Sequence, residues 1–151
     1  MNTKDILDFF IRDSISNKEF IGVFARDQLP KKILWPCSLI VNTDNMNDSG
    51  EHWLSIYFNK DGICEFFDPL GFSPKYHNFE EFIKKNCVKY YYNKNQIQSL
   101  LSKNCGYFCC LFIFKKARNY SFVKFLNLFS KYDYNFNDKL IDVLKNNNFF
   151  F

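Results

Sequence analysis

The sequence predicts a domain that mixes helices with strands, built around one hairpin and one buried helix. His52-Trp-Leu-Ser-Ile-Tyr-Phe58 and Ile63-Cys-Glu-Phe-Phe-Asp68 are rich in aromatic and β-branched residues and are joined by Asn59-Lys-Asp-Gly62, a strong hairpin signal. Cys105 to Lys116 is almost wholly apolar over helix length, which predicts a helix covered on every side. The chain of 151 residues is 47% hydrophobic, with twenty Phe and nine Tyr, enough to build a core in a single domain spanning 1–151.

The elements follow in order. Thr3 to Phe10 predicts a first helix, with Thr3 as its cap and Ile6, Leu7, Phe9 and Phe10 as its apolar face. Phe20 to Phe24 is a short extended segment closed by Gln28-Leu-Pro30, and Ser38 to Val41 is a buried strand. Asp44 to Gly50 consists of turn residues and predicts a polar loop ahead of the hairpin. Pro69 and Gly71 end the second hairpin strand. Phe79 to Asn86 then predicts a helix, Cys87 to Tyr92 a strand, and Ser121 to Ser130 and Asn137 to Asn147 two further helices. The final Asn-Asn-Asn-Phe-Phe-Phe151 has no periodicity to read.

Net charge is +4, from 20 Lys plus Arg against 16 Asp plus Glu, with no polybasic block of the kind that binds nucleic acid tightly. The basic groups Lys84, Lys85, Lys115, Lys116 and Arg118 read as solvated helix faces. No apolar run reaches the roughly 18 residues needed to span a bilayer. The N-terminus starts with helical spacing rather than a signal peptide, so the expected setting is intracellular and reducing. The six cysteines then read as free thiols, mostly buried apolar residues, and no C-x-x-C pair suggests structural zinc.

Chemistry concentrates at the start of the apolar helix. Cys105 precedes Gly106 there, and Gln98 lies seven residues upstream. A thiol in a first helical turn meets free N–H groups and the positive end of the helix dipole, both of which favour the nucleophilic thiolate. Alternation puts His52, Leu54, Ile56 and Phe58 on one face of the first hairpin strand, and Cys64, Phe66 and Asp68 on one face of the second. If Gly62 adopts a left-handed turn conformation, even positions pair with even, and Asp68 comes beside His52. A slip of one residue would present Glu65 or Phe67 instead. That shared face is the one expected to receive the apolar helix. Thiol, imidazole, carboxylate and amide donor are the parts of an acyl-transfer site, in which Gly106 would clear space for substrate backbone. Taken singly, each has a plainer reading. His52 is a structural strand residue, Asp68 a turn residue before Pro69, Gln98 one of three glutamines, and Cys105 a core cysteine like Cys109 and Cys110. His77, in a Tyr-His-Asn loop, reads as surface.

As a set, these motifs resemble the adenovirus-type (adenain-like) cysteine proteases, which are related to ubiquitin-like-protein proteases. The residues that carry the resemblance are Ile40-Val-Asn-Thr43, the polar loop ending in Gly50, His52-Trp53, Phe66-Phe-Asp-Pro-Leu-Gly-Phe-Ser73, Gln98, and Cys105-Gly-Tyr-Phe-Cys-Cys110. Phe20 to Phe24 is similar to a segment near that family's N-terminus, and the likeness covers about residues 20 to 115. It implies an α+β fold with a central helix on a mostly antiparallel sheet, papain-like in site geometry but with a different chain order. His52, Asp68 and Cys105 would be the catalytic triad and Gln98 the oxyanion-hole donor, with Trp53, Gly50 and Gly106 on the substrate side. The implied activity is endoproteolysis of capsid or other precursor proteins of a virus or virus-like element, at sites with small residues such as Gly. It would be carried out by a monomer in host cytoplasm, nucleus or virion. The alternatives are a ubiquitin-like-protein-specific protease and a catalytically silent interaction module. The chemistry itself requires no cofactor. The resemblance also raises activation by DNA or by a basic peptide tethered through a cysteine, for which Cys87, eighteen residues before Cys105, has a similar spacing; as a strand cysteine it reads equally well as core.

Overall fold

Five strands form one sheet in sequential order: β1 (Phe20–Phe24), β2 (Cys37–Asn42), β3 (Trp53–Phe58), β4 (Ile63–Phe67) and β5 (Lys89–Tyr92). The computed structural model describes residues 1–151. The two inner pairings, β2 with β3 and β3 with β4, are antiparallel, whereas β1 and β5 run parallel to their neighbours at the two edges. The sheet is therefore mixed. Its antiparallel part is the chain-local meander, and each parallel edge follows a longer connection, as strand geometry requires.

The hairpin register matches even positions with even: Ser55 faces Phe67, Ile56 faces Phe66, and Phe58 faces Cys64. Gly62 makes this turn possible. Its φ is +76°, and a Cβ there would lie 2.4 Å from the Trp35 ring, which packs over the turn.

Five helices flank the sheet: α1 (Thr3–Arg12), α2 (Glu80–Asn86), α3 (Cys105–Lys116), α4 (Phe122–Leu126) and α5 (Tyr134–Asn146). The helix α1 is capped by Asn2, not Thr3. The Asn2 side chain accepts from Asp5 N, and the Asp5 carboxylate accepts from Asn2 N, a reciprocal capping box.

The position of α3 corrects one sequence expectation. Leu54, Ile56, Phe58, Cys64 and Phe66 pack with Phe79 and Ile83 around α2. The helix α3 lies on the other face, where Phe112 stacks on Phe67 at 5.1 Å and Lys116 sits over the Tyr57 ring at 5.0 Å. Both faces of β3 and β4 are covered, so Phe66 and Phe67 are each fully buried and apolar alternation cannot tell which face takes which helix.

Three charged or terminal features also differ from expectation. Lys116 is buried and pairs with Glu65 at 2.7 Å instead of facing solvent. Arg118 pairs with Asp13 at 2.8 Å, tying α1 to the end of α3. The C-terminal Phe150 is fully buried against Phe9 and Tyr107, and its carbonyl accepts from Arg12 Nη2 at 2.7 Å. No helix is long and apolar enough to cross a membrane.

Candidate active site

His52 and Asp68 stand one residue outside the ends of β3 and β4. The β3–β4 pairing has ended there, so their side chains are no longer bound to strand alternation, and His52 comes beside Cys105 at the start of α3. The even register brings them together as expected: His52 Nε2 lies 2.7 Å from Asp68 Oδ1. With Nε2 committed to the carboxylate, Nδ1 is the ring nitrogen left free, and Cys105 is near enough for its thiol and the His52 ring to shift each other's titration. Of the three residues expected to do the chemistry, His52 and Asp68 are joined by a hydrogen bond, and Cys105 at the start of α3 is their neighbour.

Asp68 has no solvent exposure, and donors surround it. Oδ1 accepts from His52 Nε2 and from Leu70 N at 2.7 Å, while Oδ2 accepts from Phe72 N at 3.2 Å and His77 Nε2 at 2.8 Å. Its backbone is fixed as well, since Asn93 Oδ1 accepts from Asp68 N and Asn93 Nδ2 donates to Asp68 O. Burial acts to raise the carboxyl pKa, but the bonds from His52 and His77 overcome it and hold the group below its ordinary value. An ionised oxygen only accepts, so both Nε2 atoms that face it carry protons.

His77 is therefore not the surface residue expected from its Tyr-His-Asn loop. Its side chain is only 11% exposed and reaches Asp68 across nine residues of irregular chain. Periodicity says nothing about such a segment; the available signal was that the chain has only two histidines. His52, Asp68 and His77 also present ligand atoms within 4.8 Å of one another. Each Asp68 oxygen already accepts two donors, so a cation here would have to displace imidazole N–H groups.

The thiol and the imidazole shift in opposite directions. Burial alone would raise Cys105; hydrogen bonding and charge from His52, with the N–H groups of Trp53 and Gly106, lower it below the ordinary thiol value. Burial alone would lower His52; its bonds to Asp68 and Cys105 raise it to about 9. Each group thus favours the other's charged form. All other cysteines move the opposite way from Cys105. Cys37 is pushed up to about 11, and Cys64, Cys87, Cys109 and Cys110 are raised, chiefly by burial. All six thiols are free.

Gln98 is buried in the segment that leads to α3, where its Nε2 donates to Ser102 O at 3.0 Å and its Oε1 has no partner. The same segment is held from behind by Asp138 of α5, which accepts from Ser99 N, Ser102 Oγ and Asn104 Nδ2. Sequence reasoning did not identify this clamp, because its two halves lie more than thirty residues apart.

Gly106 is crowded by the protein itself. A Cβ there would lie 3.1 Å from Trp53 Cδ1 and 3.2 Å from Met1 Cβ, so these residues fill the space that was expected to receive substrate backbone. Trp53 Nε1 donates to Met1 O at 3.1 Å. Two open clefts lie beside the site, and Cys105 lines neither. One, of about 500 Å³, is lined by Trp53, Gly50, Asn42 and the Met1–Thr3 segment. The other, of about 330 Å³, is lined by His52, Glu51, Asp44, Phe72 and His77. Cys87 is half-buried at the end of α2, packed with the core on the sheet face opposite α3.

Residues 18–130 match the sequence model of the family described as adenovirus endoprotease. The chain belongs to the adenovirus endoprotease family. Among its relatives, the protease of human adenovirus A serotype 12 is 31% identical over 112 residues, covering 64% of this chain and 51% of that protein. The protease of frog adenovirus 1 is 33% identical over 110 residues, covering 62% and 53%. The chain spans about half the length of the curated adenovirus endoproteases it matches. The crystal structure of the Se-Met ASFV pS273R protease superimposes with a TM-score of 0.58 at 18% identity, over 91% of this chain and 66% of that one. At that identity the likeness shows a shared α+β fold. The part of this adenovirus endoprotease family chain that matches the family includes His52, Asp68, Gln98 and Cys105.

Proposed function

We propose that this chain is a cysteine endopeptidase that cleaves viral or virus-like precursor proteins, with Cys105 as nucleophile, His52 as acid and base, and Asp68 orienting His52. The observation that carries this reading is the His52–Asp68 hydrogen bond of 2.7 Å on a buried carboxylate saturated by donors, with Cys105 beside it at the start of α3; the opposed shifts of Cys105 and His52 agree with it. Membership of an endoprotease family supports it from a separate direction.

The chemistry follows from the atoms. Cys105 Sγ, as thiolate, attacks the scissile carbonyl carbon, and the carbonyl oxygen gains the negative charge. The N–H groups of the first turn of α3 and the second N–H of Gln98 Nε2 are the donors suited to that oxyanion. The His52 imidazolium gives its Nδ1 proton to the departing amine, leaving a thioester and a neutral imidazole. Water then attacks the thioester while His52 takes up its proton, which releases the acid product and restores the ion pair. Asp68 keeps Nε2 protonated throughout, which fixes the tautomer this sequence needs.

The test is cleavage of capsid-precursor peptides with Gly near the scissile bond, compared with reporters ending in Gly-Gly from ubiquitin-like proteins. DNA or a basic peptide is added in parallel. Wild-type cleavage that is lost in Cys105→Ala, with unchanged circular dichroism, supports the assignment; cleavage retained in Cys105→Ala overturns it. Preference between the two substrate sets assigns the substrate class, and stimulation by an additive assigns an activator.

A further inference from the structure

His77 takes no part in the acyl-transfer steps above, yet its Nε2 lies 2.8 Å from Asp68 Oδ2, the oxygen turned away from His52. We propose that His77 is a positioning residue of this site: it grips Asp68 from behind so that the other oxygen stays aimed at His52, and Phe72 and Tyr76 keep water off that grip.

Three observations carry the proposal. First, the two imidazoles share one carboxylate without competing for the same atom. His52 takes Oδ1 and His77 takes Oδ2, with the rings 5.9 Å apart. Of the remaining donors to Oδ2, only Phe72 N reaches it, at a long 3.2 Å, so His77 supplies the stronger half of that oxygen's satisfaction. Second, the loop is shaped to deliver the ring. Asn78 takes a positive φ of 64°, and its N–H and that of Phe79 bond back to Lys75 O and Pro74 O, turning His77 inward. Third, the ring is shielded by neighbours that are themselves in water. His77 meets Tyr76 and Phe72 edge-on at 5.0 and 5.8 Å, and those two rings stack on each other at 4.4 Å. Tyr76 is 65% exposed, while the histidine beneath it is almost closed off. A charge-assisted hydrogen bond is strengthened when water is kept from it.

The expected consequence has a definite sign. Without its donor at Oδ2, Asp68 is harder to keep ionised inside the protein, and the line that lowers the Cys105 thiol loses its fixed end. This inference rests on the peptidase reading, but its experiment needs no substrate. The rate of Cys105 alkylation by iodoacetamide is measured against pH in the full chain for wild type, His77→Leu and His77→Gln, with thermal unfolding of each. In His77→Leu the acid limb of the profile should move toward neutral pH, slowing labelling on that limb by about tenfold, the usual order for one hydrogen bond to a charged group. His77→Gln should recover most of the rate, because its amide places a donor near the former Nε2 position. Tyr76→Ala, at a mostly exposed ring, should fold and give a smaller shift of the same sign.

A His77→Leu profile that coincides with wild type overturns the proposal. So does a Gln variant as impaired as Leu, since that pattern reports packing rather than a donor. If His77→Leu does not fold, an unmoved limb in Tyr76→Ala overturns the shielded grip. Failure of the peptidase reading looks different: wild-type Cys105 itself would then label no faster than the other five thiols.

Discussion

Replacing His52 by Ala removes the cation that faces Cys105, and the size of the effect can be worked out beforehand. Asp68 and Cys105 together raise His52 against the cost of burial, from 6.5 to about 9, a preference for the imidazolium on the order of 3 kcal/mol. That preference is shared between Asp68 and the Cys105 thiolate. Without it, Cys105 keeps two backbone N–H donors against a burial cost that pushes its pKa upward. A thiol at its ordinary value of 9.0 is about 1% ionised at pH 7, so with that value as reference full pairing supplies about a hundredfold in thiolate there. Thiolate nucleophilicity falls with pKa by a Brønsted slope near 0.4–0.5, which takes back about the square root of that gain. The net expectation is that iodoacetamide labels Cys105 about tenfold more slowly in His52→Ala at pH 7, with a wider gap at pH 5. Peptide mapping by mass spectrometry follows all six thiols in one experiment, and Cys109 and Cys110 should stay unlabelled in the folded protein. An unchanged labelling rate in His52→Ala would refute the pairing. Because a raised imidazole contributes its full stability below its unfolded value of 6.5, His52 should stabilise the fold there and lose that contribution as pH rises through about 9.

Two further predictions concern the frame around the site. Lys116→Met leaves the partly buried Glu65 carboxylate, 16% exposed, without its cation and should cost up to about 3 kcal/mol in urea unfolding, while adding Glu65→Gln should recover much of the loss. Asp13 is held at about 2, first by its hydrogen bond from Arg118 and against the cost of burial. A depressed carboxyl contributes above its unfolded value, so this pair should add about 2 kcal/mol at pH 7, lost as pH falls from about 4 to about 2. Arg118→Met should therefore destabilise more at pH 7 than at pH 2, and an equal loss at both would show that its packing on Phe114 is the main term.

The parts of the molecule that were legible from sequence are those fixed by local chemistry. Asn59 to Gly62 sets the turn, the turn sets the register, and the register brings Asp68 to His52. The span of α3 follows from its unbroken apolar run. What was not legible depends on long-range packing. Phe66 and Phe67 are adjacent and both buried, so a sheet covered on two faces gives no polar side from which to infer where α3 docks. His77 reaches Asp68 from an irregular loop, and Phe150 enters the core from a tail with no period. Lys116 reads as a solvated helix end until Glu65 is found opposite. Asn2 and Thr3 are both capping residues, and only Asp5, three positions after Asn2, distinguishes them.

The division of the site between two pieces of chain has a consequence for observing the protein fold. His52 and Asp68 belong to the β2–β3–β4 meander, whose contacts are close in sequence, whereas Cys105 arrives on a helix that must dock from outside it. Neither piece alone has the full set of groups that lower the thiol: the hairpin lacks the sulfur, and the undocked helix has its own N–H groups but lacks the imidazole. The nucleophilicity proposed for Cys105 therefore depends on the junction, and its appearance would report docking of α3 at a single atom. A brief pulse of alkylating agent during refolding would time that docking chemically, in a protein whose many Phe and Tyr rings would blur an optical signal.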